Sequence, residues 1–268
     1  MAWSKLKNIV IVILLLLNLF LLLLIVGQQF RTRRYEVDTL KQTVEALSLN
    51  GINVEEDALP EKSNLSVFSA TLDSSLQATA AGVFLKDETP IVSNNGTHMV
   101  YSALSGNLSF RSNGEFFVSL SLPCPPDLTP VQHAVTLFQS LGLTTDEPTV
   151  SDQTVTALPM VSGAPVFNAP LTLVYKDQLL LSASGYLPGK LTADTQQSLL
   201  ALPDALISIL EYVLDRGIIC RSIIAVTPGY TATPLTDSLR LTPCWLVETD
   251  IENYYVDALT GAVSPATE

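Results

Sequence analysis

Thr129-Pro130-Val131-Gln132-His133-Ala134-Val135-Thr136-Leu137-Phe138-Gln139-Ser140-Leu141-Gly142 is the stretch that decides the fold. Its threonine supplies an N-cap oxygen and its proline a preset first-turn φ. Val131, Val135, Phe138 and Leu141 then recur at three- and four-residue steps, and Gly142 supplies a stop. The pattern predicts a helix with one apolar face, which must be covered by a second layer. Behind it follow the β-like segments Thr149–Leu158, Val166–Tyr175 and Gln178–Leu187, with a hairpin at Lys176-Asp177.

The same grammar returns downstream. Leu202-Pro203-Asp204 opens a helix carrying Leu206, Ile209, Leu210, Val213 and Leu214, and Arg216-Gly217 closes it. Ile218–Thr227, Leu239–Asp250 and Asn253–Leu259 then read as strands. An α+β fold is therefore expected, with antiparallel sheets, packed helices and two tandem helix-plus-three-strand modules over 127–190 and 191–268. Upstream, Pro123-Cys124-Pro125-Pro126 breaks the chain after a β-rich meander over 52–126. Its strands are Val67–Leu72, Gln77–Leu85, Met99–Leu104, Leu108–Phe110 and Glu115–Leu122, with turns at Gly96, Gly106 and Gly114.

Nearer the start, Val37, Leu40, Val44 and Leu47 predict an amphipathic helix from Tyr35 to Leu49, within a segment 28–51 that ends on Asn50-Gly51. Ahead of it, Ile9 to Val26 is apolar throughout except for Asn18, and Gly27 extends the run. As a helix it spans about 27 Å, against a hydrocarbon core of about 30 Å. A transmembrane helix over 9–27 is expected, behind a cytoplasmic stub over 1–8. Five of the 14 basic residues (Lys5, Lys7, Arg31, Arg33 and Arg34) flank the run on both sides, so charge alone does not orient it. The short stub and the lack of a later span favour a single-pass signal anchor, N-terminus inside and C-terminal domain outside.

All 26 acidic residues follow Arg34, and the chain carries a net charge of −12. Such a domain is repelled by phosphate backbones and has no basic stripe, which argues against nucleic-acid binding. Cys124, Cys220 and Cys244 are widely spaced, with no C-x-x-C pair. They read as small buried hydrophobes, and a Cys220–Cys244 disulfide stays open. His98 and His133 are the only histidines; His98 reads as a turn residue and His133 as a surface residue in a helix's first turn. No nucleophile-elbow, zinc, phosphate-loop or dinucleotide fingerprint occurs. Glu147/Asp152 and Asp250/Glu252 read as solvated loop carboxylates. Glu55-Glu56-Asp57 and Asp87-Glu88 lack the alternating spacing of a calcium loop. No catalytic residue, metal site or cofactor is expected.

The opening Met1-Ala2-Trp3-Ser4-Lys5-Leu6-Lys7, running into Leu17-Asn18-Leu19-Phe20, resembles the start of YycI proteins of the YycH/YycI family. The doubled helix-and-strand unit is similar to that family's ectodomain modules and to the related PepSY fold. The ending from Leu241-Thr242-Pro243-Cys244-Trp245 to Tyr255-Val256-Asp257-Ala258-Leu259-Thr260-Gly261 resembles that of PepSY-like modules. The resemblance implies a non-catalytic, membrane-anchored regulator of the sensor histidine kinase in a Gram-positive cell-wall two-component system. It would act through transmembrane-helix and ectodomain contacts. Trp3 and Lys5 would mark the cytoplasmic interface, and Asn18, Phe20 and Gly27 the partner-facing helix in membrane lipid, with a paralogous YycH-like protein open as a second partner. Ala2 stands where an acidic residue is common in that family. The alternative is a PepSY-type inhibitor or chaperone of an extracellular peptidase or cell-wall hydrolase.

Overall fold

The computed structural model describes residues 14–15, 17–18, 20, 22, 38–55, 57–60, 65–71, 73–86, 89–96, 98–187, 189–194 and 197–266. The chain divides into two compact units, Met1–Val54 and Glu55–Glu268. In the first, helix α1 (38–49) buries Leu47 and Thr43 and half-buries Leu40 and Val44, the stripe its spacing dictates. It ends where Gly51 turns left-handed (φ 82°) and the Ile52 amide reaches back to the Leu47 carbonyl. The two-residue strand β1 (Asn53–Val54) follows.

The second unit is dominated by antiparallel sheet. Strand β2 (Val67–Thr71) leads into helix α2 (Ser74–Leu85) and the strands β3 (Ile91–Asn94), β4 (His98–Ala103), β5 (Gly106–Arg111) and β6 (Glu115–Pro123). Helix α3 (Pro130–Ser140) is followed by β7 (Thr149–Ser151) and β8 (Thr154–Ala157). A small hairpin, β9 (Met160–Val161) with β10 (Ala164–Pro165), precedes β11 (Leu171–Lys176) and β12 (Leu179–Tyr186). After β13 (Lys190–Asp194) come helix α4 (Leu202–Arg216) and β14 (Ser222–Pro234), β15 (Leu239–Thr249), β16 (Asn253–Asp257) and β17 (Val263–Pro265).

One helix followed by a four-strand meander thus recurs three times, on α2, α3 and α4, the second meander (β7, β8, β11, β12) being interrupted by the β9–β10 hairpin. The first two units share a single eight-stranded sheet in the order β3-β4-β5-β6-β12-β11-β8-β7, joined where their last strands pair, with Val118 opposite Ala183. Helices α2 and α3 lie over the same face. Phe84, Leu85, Leu137 and Phe138 from the helices meet Leu108, Phe110, Phe116, Val118, Leu171 and Leu173 from the strands in one core. In the third unit β15 is the central strand, flanked by β14 on one side and on the other by β16 and by β2, which also pairs β13. The β9–β10 segment ties the two sheets together. There the Asn168 side chain donates to the Ala232 carbonyl (3.0 Å) and accepts from its amide (2.6 Å), doing for β14 what a neighbouring strand would do.

Two expectations about fold class are corrected. The tandem helix-plus-three-strand reading undercounts both the copies and the strands. Gln77–Leu85, read as a strand, is the body of α2, whose cap is Asp73 accepting from the Ser75 amide at 3.0 Å. Thr149–Leu158, read as one strand, is a hairpin whose tip holds Asp152 at φ 51°.

The single-pass anchor and the localisation built on it are also corrected: among the described residues no helix is long and apolar enough to cross a membrane. The helix α4, at 15 residues, rises about 22 Å, well short of a hydrocarbon core, and carries Asp204, Glu211, Asp215 and Arg216. Most of Ile9 to Val26 lies outside the described residues.

Candidate functional surfaces

Of the residues the resemblance singled out, Trp3, Lys5 and Gly27 lie outside the described residues. Asn18 and Phe20 are helical and exposed. No contact brings these two described positions together into a site. Glu56, Asp87 and Glu88 of the acidic runs also lie outside the described residues.

Several titratable groups are committed to structure. His133, expected on the surface, is buried: the apolar face of α3 rolls it toward β11, where the Tyr175 hydroxyl meets its Nδ1 at 3.2 Å with the rings edge to face. Burial, and then the nearby Lys86 ammonium, hold the His133 pKa below its ordinary value, and burial pushes the Tyr175 phenol up. At neutral pH the pair is uncharged. Beside it a cavity of about 290 Å³ is bordered by the turn residues Asp152, Gln153, Asp177 and Gln178. His98 begins β4 and accepts from Arg111 Nε at 3.3 Å.

Cys124, Cys220 and Cys244 are buried free thiols with no disulfide between them. Burial raises all three pKa values, that of Cys244 to about 12. Protonated thiols are poor nucleophiles and poor metal ligands. Asp250 Oδ1 accepts from the Arg221 (2.9 Å) and Ser222 (3.2 Å) amides, which lowers its pKa and fixes the approach to β14. Among the described residues no three His, Cys, Asp or Glu side chains converge as a metal site.

What the fold leaves exposed is sheet. Strand β3 ends the eight-stranded sheet, and its four residues, Ile91-Val92-Ser93-Asn94, are all exposed and uncharged. Among the described residues no strand pairs its outer side, so alternate backbone N–H and C=O groups point to solvent. Native edges are usually blunted by shortness, charge, proline within the strand or a bulge; β3 is short, at four residues, and has none of the others. Sequence reading missed β3; its only signal is a short β-branched pair between Pro90 and the Asn94-Asn95-Gly96 turn.

The second surface is the face of this sheet away from α2 and α3. Cross-strand register aligns Thr149, Thr156, Thr172 and Ser184 across β7, β8, β11 and β12. The row continues as Phe117, Ser109, Val100 and Ser93 across β6, β5, β4 and β3. A parallel row runs Ser151, Thr154, Val174, Ser182, and then Ser119, Asn107, Ser102, Ile91. All are exposed or half-buried, and none is ionisable. Ser109 and Thr149 hydroxyls donate to backbone carbonyls of the next strand. Among the described residues, Thr156, Thr172, Ser184, Thr154, Ser182 and Ser119 find no side-chain hydrogen bond. The next row toward one end of the strands is ionic, with Arg111 paired to Glu115 at 2.6 Å. Alternation of Ser or Thr with apolar residues along each strand was the readable signal, but it takes the register to align them into rows.

No protein-family model matches the chain, and no curated protein does. Among solved structures, the fold is similar to that of an uncharacterized protein from Eubacterium rectale, at 8% sequence identity and a TM-score of 0.47, covering 81% of this chain and 86% of that one.

Proposed function

We propose that the chain is a non-catalytic binding protein that regulates a sensor histidine kinase by adding one of the kinase's extended segments to the β3 edge of its sheet. The kinase as partner comes from the resemblance of the chain's start to YycI proteins and of its repeated helix-and-strand units to YycH/YycI ectodomains. The observation that carries the mode of binding is β3: an uncharged, fully exposed terminal strand with outward-pointing backbone groups and the β-branched Ile91 and Val92 at its start. Strand addition draws affinity from main-chain hydrogen bonds and selectivity from alternate side chains. Regulation then follows from population shift: the partner's segment is available in one signalling state, and a preference of about 1–3 kcal/mol biases the kinase 5- to 150-fold. The structural roles of His133, Asp250 and the three thiols support binding over catalysis.

The test is crosslinking capture by the tagged full-length chain in its native cells, with an Ile91→Lys/Val92→Lys variant in parallel. Recovery of a sensor kinase, reduced at least fivefold by the two lysines, is expected. Recovery of a peptidase or cell-wall hydrolase instead, with no kinase, would contradict the proposal and support the inhibitor reading.

A further inference from the structure

We infer that the hydroxyl-lined face of the eight-stranded sheet binds a neutral polysaccharide chain. The face is selective first by charge. A protein of net charge −12 presents two complete cross-strand rows without an ionisable side chain, so the complementary ligand is uncharged. It is selective next by chemistry. Protein-binding surfaces are depleted in serine and enriched in Tyr, Trp, Met and Arg, and serine and threonine seldom anchor them. Here six of the eight positions in the row through Phe117 are Ser or Thr, the opposite composition. Each hydroxyl both donates and accepts, as a sugar hydroxyl does, and most are not occupied by bonds to other described residues.

Shape narrows the class further. Eight strands spaced about 4.8 Å apart make each row about 34 Å long, while two rows two residues apart make the strip only about 7 Å wide. Such a strip fits an extended polymer rather than a compact small molecule. Adjacent strands rotate by roughly 20–25°, so the rows coil and suit a flexible soluble chain rather than the flat face of a crystal. Near the middle of the strip Phe117, 53% exposed and flanked by Ser184 and Ser109, offers a ring on which the apolar face of a pyranose can stack. The Arg111–Glu115 pair borders one side of the strip where it crosses β5 and β6. This surface centres on β6, β12 and β11, reaches β3 only through Ser93 and Ile91, and stands on observations separate from those behind the kinase proposal.

Affinity electrophoresis of the full-length chain in native gels containing hydroxyethyl cellulose, glycol chitin or, as the anionic comparison, polygalacturonate tests the inference. Thr156→Val/Thr172→Val keeps the side-chain shape and the strand preference while removing two hydroxyls, and Phe117→Ser removes the platform; a thermal melt verifies that each variant folds. Retardation by a neutral polymer and not by polygalacturonate is expected, weakened at least tenfold in folded variants. Unchanged mobility in both neutral gels, equal retardation by polygalacturonate, or retardation that the folded variants leave intact would each overturn it.

Discussion

Replacing Tyr175 by phenylalanine keeps the ring that packs in the core and deletes only the oxygen 3.2 Å from His133 Nδ1. Both side chains are more than nine-tenths buried. Leaving a buried polar group unsatisfied costs about 1–3 kcal/mol, whereas replacing both partners by apolar groups is close to neutral. Tyr175→Phe is therefore expected to lower stability by about 1–3 kcal/mol, and Tyr175→Phe/His133→Leu to recover most of that loss. For a unit of this size each kcal/mol is roughly 2–4 °C in Tm. Urea unfolding followed by tyrosine and tryptophan fluorescence measures both. The pH dependence provides a second readout. Because burial and Lys86 hold the folded-state pKa of His133 below its ordinary 6.5, the unfolded chain takes up a proton that the folded chain resists. The contribution is thus complete above about pH 6.5 and is lost as pH falls from there through the folded pKa. This loss should vanish in His133→Leu. A Tyr175→Phe variant as stable as the parent, or a double variant worse than either single one, would refute the reasoning.

Two other consequences are open to measurement. A methyl group at Gly229 would run into the Phe167 ring, which stacks on Tyr255 at 5.6 Å, so Gly229→Ala should cost about 1–3 kcal/mol by overpacking, read as a lower urea midpoint. The three thiols, buried and held protonated, should react with a disulfide reagent far more slowly than in the urea-unfolded chain, and the reaction should accelerate with urea along the unfolding curve.

Helices α3 and α4 were legible because local chemistry and tertiary packing agree. Thr129 and Gln132 form a reciprocal capping box, Gly217 ends α4 at φ 64°, and each helix shows one apolar stripe. Helix α2 was not legible as a helix because its small residues blur the stripe: Ala80, Ala81, Phe84 and Leu85 are buried, yet the exposed side, Ser74, Ser75, Ala78, Thr79 and Gly82, has no charged residue to mark it. The signal that marks it is the Asp73 cap before an alanine-rich run. His133 was misread for a related reason. It sits on the covered side of α3, and a polar residue is buried there only because Tyr175, 42 positions away, supplies its partner. Short range explains the strand errors as well. Asp152 and Asp177 adopt positive φ in two-residue turns, and nothing but the pairing of β7 with β8 reveals that Thr149–Leu158 folds back on itself. Of the residues singled out near the chain's start, Trp3, Lys5 and Gly27 lie outside the described residues, while the two exposed surfaces arise from strand order and register, which no local pattern encodes.

The continuous hydroxyl-lined face depends on two helix-plus-four-strand units sharing one sheet through β6 and β12. Ser119 and Ser182 face each other across that seam, on the solvent side, at a separation that a disulfide can bridge. Mild oxidation of the Ser119→Cys/Ser182→Cys variant, followed by non-reducing peptide mapping, is the most direct test. The account predicts rapid formation of a disulfide between the two introduced thiols within one chain, with the three native thiols still free. Failure of the introduced thiols to join in the folded chain, or joining only between chains, would contradict the shared sheet and with it the continuous hydroxyl-lined face.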